Sequence, residues 1–145
     1  MKVALGCDHA AFEGKEELKK YLETKFEVLD EGTYSDERCD YPDFASKVAK
    51  RVVEEKIPGI LLCGSGIGVS IVANRYRGVR AALVRTPEEA RLSRQHNDAN
   101  VLCLGARINS DAEIREMVNA WFEAEFEGGR HTDRLAKFAN LGEVF

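Results

Sequence analysis

The chain has 145 residues, 44% of them hydrophobic and 32% charged, which suits a soluble globular protein with enough material for a full core. Formal net charge is −4, so bulk charge gives no reason to expect nucleic acid or an anionic membrane as a partner. No apolar run reaches bilayer length and the N-terminus enters a strand pattern directly, so neither a signal peptide nor a membrane helix is expected.

Residues 2–7 form a short apolar run without polar alternation, the pattern of a buried parallel strand. Asp8 and His9 follow, then a helix over about 11–25 with Leu18, Tyr21 and Leu22 on one side. A second strand is expected at 26–30, and residues 31–41 make a polar loop long enough to form a rim or lid. Pro42 opens the next helix, whose apolar stripe is Phe44, Val48 and Val52 with Ala45, Ala49 and Val53. The third strand, 59–63, runs into the turn Gly64-Ser65-Gly66-Ile67-Gly68 and a helix carrying Ile67, Ile71 and Val72.

Strand four spans 80–84, and Thr86-Pro87-Glu88-Glu89 starts a helix with a hydroxyl cap, a first-turn proline and two acids at its positive end. That helix ends near His96-Asn97-Asp98, ahead of a fifth strand at 100–104. From about Asp111, Ile114, Met117, Val118, Trp121 and Phe122 mark a strong core-facing helix. A last short helix begins at the basic segment 130–134. Five strands alternating with helices predict one α/β domain over 1–145, a doubly wound, Rossmann-like parallel sheet in an α/β/α sandwich with a C-terminal helix. Ligands of such sheets bind beyond the carboxyl ends of the strands, which collects Asp8, His9, residues 63–68 and Arg107 on one rim.

Three glycines within residues 64–68, between a strand and a helix, can form an anion cradle or simply a tight turn. The turn is no dinucleotide fingerprint, Walker loop or Cys-x5-Arg phosphatase loop, because Val69 stands where the last glycine or the arginine belongs and the Walker lysine is missing. The four cysteines, at 7, 39, 63 and 103, make no Cys-x-x-Cys or zinc spacing. Cys7, Cys63 and Cys103 therefore read as reduced, buried thiols in a cytoplasmic protein. His9, His96 and His131 all have polar neighbours at element ends, which favours convergence on a pocket over burial in a core. A metal site is the less favoured alternative, since no His or carboxylate pair shows ligand spacing. Arg130 and Arg134, four apart, share a helix face and could clamp a phosphate or merely lie in solvent.

Motifs along nearly the whole chain resemble the ribose-5-phosphate isomerase B family, which also holds galactose- and allose-6-phosphate isomerases. They are Gly6-Cys7-Asp8-His9-Ala10, Gly32-Thr33, Asp40-Tyr41-Pro42, Cys63-Gly64-Ser65-Gly66-Ile67-Gly68 and Ala73-Asn74-Arg75. Gly78-Val79-Arg80-Ala81, the run from Ser93 through His96-Asn97 to Asn100, and Gly128-Gly129-Arg130-His131 complete the set.

The resemblance implies interconversion of D-ribose 5-phosphate and D-ribulose 5-phosphate through a cis-enediol(ate), without cofactor or metal; a six-carbon sugar phosphate is the alternative substrate. It implies Cys63 as the base, in the cysteine version of the site, because the position used by a glutamate in part of the family holds Val69. Ser65 stands where a hydroxyl residue assists the enediolate, and Gly64, Gly66, Ile67 and Gly68 supply backbone N–H groups. His96 resembles the ring-opening acid/base and Asn97 a donor to the reacting oxygens. Asp8 would contact sugar hydroxyls, Tyr41 the rim, and His9, Arg107, Arg130 and Arg134 the phosphate. The family's sites are shared between subunits, which implies a homodimer or a tetramer built from it. Two rival classes are a non-catalytic phosphosugar sensor, which has no use for Cys63, and a redox thiol protein, which wants a resolving cysteine nearby.

Overall fold

The computed structural model describes residues 1–145. β1 (Lys2–Cys7) passes through a 3-10 turn at His9–Ala11 into α1 (Phe12–Leu22), followed by β2 (Glu27–Asp30), α2 (Tyr41–Glu55) and β3 (Gly59–Cys63). Then come α3 (Ile67–Ala73), β4 (Ala81–Leu83), α4 (Pro87–Asn97), β5 (Val101–Gly105), α5 (Asp111–Glu123) and α6 (Arg130–Ala136). The five strands are all parallel, in the order β2-β1-β3-β5-β4. No helix is long and apolar enough to cross a membrane.

The apolar strand runs work because each sheet face is covered. Leu5, Ile60, Leu62, Leu102 and Leu104 point to one face, where they meet Leu18 and Leu22 of α1 and Ile114, Met117 and Trp121 of α5. Their neighbours Ala4, Leu61, Cys63, Val101 and Cys103 point the other way, onto Ala45, Val48, Ala49 and Val52 of α2 and Val69 and Ala73 of α3. Ala90 of α4 joins the first core, so α1, α4 and α5 cover one face and α2 and α3 the other. This is the α/β/α sandwich that the alternation of elements predicts.

Caps follow the sequence closely. Thr86 accepts a hydrogen bond from the Glu89 N–H at the start of α4, and Ser110 and Glu113 form a reciprocal capping box at α5. α3 differs from expectation. Val69, Ser70 and Ala73 are its buried residues, while Ile67 and Ile71 are 47% and 60% exposed. In so short a helix, docked through one face beside the turn, the largest side chains are left outside.

Two features of the topology position the site. At the β1/β3 boundary the chain leaves adjacent strands in opposite directions, from β1 towards α1 and from β3 towards α3, which opens a crevice beyond their carboxyl ends. α4, with 11 residues, carries the chain roughly 16 Å back to the amino ends of the strands. There Asn100 ties strands together: its carbonyl accepts from the Gly59 N–H, and its side chain bonds Gly78 O and Arg80 N.

The loop after β2 is anchored by a buried charge. Lys15 of α1 is fully buried and donates to both carboxylate oxygens of Asp30, at 2.9 and 2.8 Å, and to the carbonyl of Thr33 at 2.6 Å. Asp30 also accepts from Lys19 and from the Gly32 N–H. A lysine within a helix reads as solvent-facing in the sequence; here it fixes the start of the 31–40 loop.

Candidate active site

Cys63 ends β3 with 5% of its surface exposed. The N–H of Gly66 points at its sulfur over 3.1 Å, and Ser65 Oγ accepts from the Ile67 N–H at 3.2 Å. The N–H groups of Gly64, Ser65 and Gly68 have no partner within the chain, so the turn presents donors next to a thiol. Gly66 holds φ +78°, a conformation that side chains resist, which explains glycine at the start of α3.

The rest of this rim packs against the turn. A Cβ built on Gly68 would lie 2.6 Å from the Tyr41 ring, so the glycine lets that ring lie flat on the turn. The Arg107 side chain passes over Gly64, where a Cβ would meet its Cδ at 3.3 Å, and the Arg107 backbone N–H donates to the Gly64 carbonyl. Asp8 caps the 3-10 turn by accepting from the Ala11 N–H at 3.3 Å. His9 Nδ1 lies 3.2 Å from both the N–H and the carbonyl oxygen of Cys39, which ties the His9 ring to the 31–40 loop.

Of the other thiols, burial pushes Cys7 up to about 12 and also raises Cys103. Both stay protonated at neutral pH, and both side chains are fully buried.

His96, Asn97, Arg130 and Arg134 lie elsewhere. His96 and Asn97 close α4 at the amino ends of the strands, opposite the rim that carries Cys63. α6 packs there: the rings of His96 and His131 stack at 4.5 Å with 18° between their planes. Arg130 and Arg134, on the same short helix, are exposed. One chain therefore holds the expected residues in two groups. Asp8, His9, Tyr41, Cys63, residues 64–68 and Arg107 stand at one end, and His96, Asn97, Arg130 and Arg134 at the other.

Two residues of consequence escape the sequence reading. Gly105 ends β5, and a Cβ on it would sit 2.7 Å from the Ser65 carbonyl oxygen, against backbone that cannot swing aside. Gly105→Ala is expected to displace the turn and cut turnover at least tenfold while the chain stays folded; unchanged kcat would show that the turn tolerates the shift. Glu127 is the second. Its carboxylate lies 3.7 Å from both His96 Nε2 and His131 Nε2. Glu127 and His131 stand four apart, so one carboxylate–His pair does have ligand spacing, which corrects the sequence reading.

Fold and rim together define a small-molecule enzyme of the α/β class, with a thiol and backbone donors at the switch point. A family model described as Ribose/Galactose Isomerase matches residues 3–138. Ribose-5-phosphate isomerase B of Escherichia coli (strain K12) is 48% identical over 136 residues, 92% of this chain and 91% of that protein. A ribose 5-phosphate isomerase structure from Thermotoga maritima superposes with a TM-score of 0.93 at 48% identity, covering 97% of this chain and 98% of that one. The structure of ribose-5-phosphate isomerase B from Mycoplasma genitalium with bound ribulose-5-phosphate gives a TM-score of 0.91 at 43% identity, covering 95% and 93%. The chain belongs to the ribose/galactose isomerase family, as its motifs imply.

Proposed function

We propose that this chain is an aldose–ketose isomerase acting on D-ribose 5-phosphate and D-ribulose 5-phosphate, with Cys63 as the proton-transferring base. The observation that carries the reading is the placement of the Cys63 sulfur on a turn whose Gly64, Ser65 and Gly68 N–H groups have no partner and can hold a developing oxyanion. In the open-chain aldose, the C2 proton passes to the Cys63 thiolate and its electron pair forms the C1=C2 bond. The C1 oxygen takes the negative charge, held by the free N–H groups of Gly64, Ser65 and Gly68 and the Ser65 hydroxyl, while those of Gly66 and Ile67, expected to join them, are taken by Cys63 Sγ and Ser65 Oγ. The Cys63 thiol then returns the proton to C1 while the C2 hydroxyl proton passes to the C1 oxygen, leaving the ketose and the thiolate.

The remaining roles need a second copy. We assign His96 and Asn97 of one chain to the Cys63 site of another, His96 opening the furanose ring and Asn97 donating to the reacting oxygens. Arg130 and Arg134 then meet His9 and Arg107 around the phosphate, while Asp8 and Tyr41 hold the sugar. Two observations support a homodimer: the separation of the two groups within one chain, and unpaired apolar surface beside both. Ile67 and Ile71 are exposed on α3, and a cleft of about 770 Å³ lined by Leu135, Phe138 and Leu141 lies beside Asn97. We read the chain as one isomerase domain over 1–145, working with reduced cysteines in the cytoplasm.

The test is direct. Purified protein given ribose 5-phosphate is expected to yield ribulose 5-phosphate without added metal or nucleotide. A higher kcat/KM on allose 6-phosphate or galactose 6-phosphate would overturn the five-carbon assignment, and no turnover of any of the three would overturn the reaction.

A further inference from the structure

The pair of imidazoles at the far end of the sheet shares its carboxylate in a way that ring opening alone does not require. His96 Nε2 and His131 Nε2 each lie 3.7 Å from the same oxygen, Glu127 Oε1, and the three ligand atoms all fall within 4.8 Å of one another. In a tetrahedral zinc site, ligands at about 2.0–2.1 Å from the metal stand about 3.3–3.4 Å apart. Modest side-chain rotation closes the difference.

The three groups are also held in place independently of any ion. The Glu127 N–H donates to the Gln95 carbonyl at 3.0 Å, which pins Glu127 beside the last turn of α4. His131 is buried and its N–H donates to the Gly128 carbonyl, while its stack on His96 must open as the His96 ring turns towards the ion. His96 and Glu127 are partly exposed and can adjust around it.

We propose that His96, Glu127 and His131 form a binding site for one divalent transition-metal ion of the zinc class, whose occupancy inhibits the isomerase by capping His96. The ligand set selects the metal. Two imidazole nitrogens and one carboxylate suit zinc, with water in the fourth position, whereas magnesium and calcium want oxygen ligands. Arg130 and Arg134 belong to the same short helix as His131 and disfavour a cation held by charge alone, which sharpens the preference for coordination through nitrogen. The inhibitory part rests on the reading of His96 as the ring-opening residue; the metal site does not.

The experiment separates the two. Cobalt(II) and zinc are titrated into the wild-type protein and into Glu127→Gln and His131→Gln, with absorption spectra, bound stoichiometry and ribose 5-phosphate turnover followed together. One ion per chain is expected, with a cobalt spectrum lacking a thiolate charge-transfer band and turnover falling in step with occupancy. Each variant is expected to weaken binding at least ~10-fold and to shift inhibition by the same factor. Metal-free turnover of each variant is measured alongside, and inhibition is read relative to it. Binding that is absent, that is unchanged in both variants, or that shows a thiolate band from Cys63 overturns the site. Binding at this site with undiminished turnover overturns the inhibition and with it the ring-opening role of His96.

Discussion

Cys63→Ala is expected to fold, to bind sugar phosphate nearly as well as the parent, and to lose isomerase turnover by roughly 10³-fold. A positioned base contributes about 10²–10⁴ to a proton transfer, and no second titratable side chain of the turn can replace the sulfur. The loss should fall on kcat with little change in ligand affinity, because the Cys63 side chain is buried and its alanine replacement leaves the turn's other contacts in place. Titration with a non-reacting sugar phosphate together with steady-state kinetics reads both quantities. A kcat within a few-fold of the parent would remove Cys63 from the chemistry.

Lys15→Met should be the most destabilising single change away from the site. It keeps the side-chain stem buried but removes the ammonium, leaving Asp30 with only Lys19 and the Gly32 N–H, and the Thr33 carbonyl without its donor. Breaking a buried pair by deleting one partner costs about 3–5 kcal/mol. Because Lys19 still reaches Asp30, the lower end applies, and about 3 kcal/mol corresponds to a fall in Tm of roughly 6–12 °C for a chain of this size.

The pH dependence has a defined sign. Asp30 is held below its ordinary range: burial pushes it up, but the bonds from Lys15, the Gly32 N–H and Lys19 together outweigh that. A carboxylate with a lowered folded pKa stabilises the fold above its unfolded pKa and loses that contribution as pH falls through the folded value. The parent should therefore lose more stability than Lys15→Met between neutral and acid pH. Thermal denaturation of both proteins across that range checks it; a Tm shift of a degree or two, or parallel pH curves, would contradict the account.

The strands were legible in the sequence because residues 2–7, 59–63 and 100–104 are continuous apolar runs, as burial on both sheet faces demands. Their order, β2-β1-β3-β5-β4, was not, since no local pattern states which strands are neighbours. Asp8, His9, residues 63–68 and Arg107 could be placed together from the rule that ligands gather beyond strand carboxyl ends. The separation of His96 from Cys63 was implicit in the direction of α4, which returns any residue at its end to the opposite edge of the sheet. Ile67 and Ile71 mark α3 in the sequence, but nothing there states which face docks, and the helix packs through Val69, Ser70 and Ala73. Lys15 and Glu127 were hidden for a common reason: charged residues in helices and loops are usually solvated, and only three-dimensional partners distinguish these two.

The central claim is an isomerase site built from Cys63 of one chain and His96 of another, and mixing two disabled chains tests it most directly. Cys63→Ala and His96→Asn, each inactive or nearly so on cyclic ribose 5-phosphate alone, are co-expressed in equal amounts and allowed to assort. Random assortment makes half of the dimers mixed, and each mixed dimer carries one site with both residues intact and one with neither. Turnover is then predicted to recover to about a quarter of the parent value. Activity no greater than the sum of the two variants measured separately would contradict a shared site.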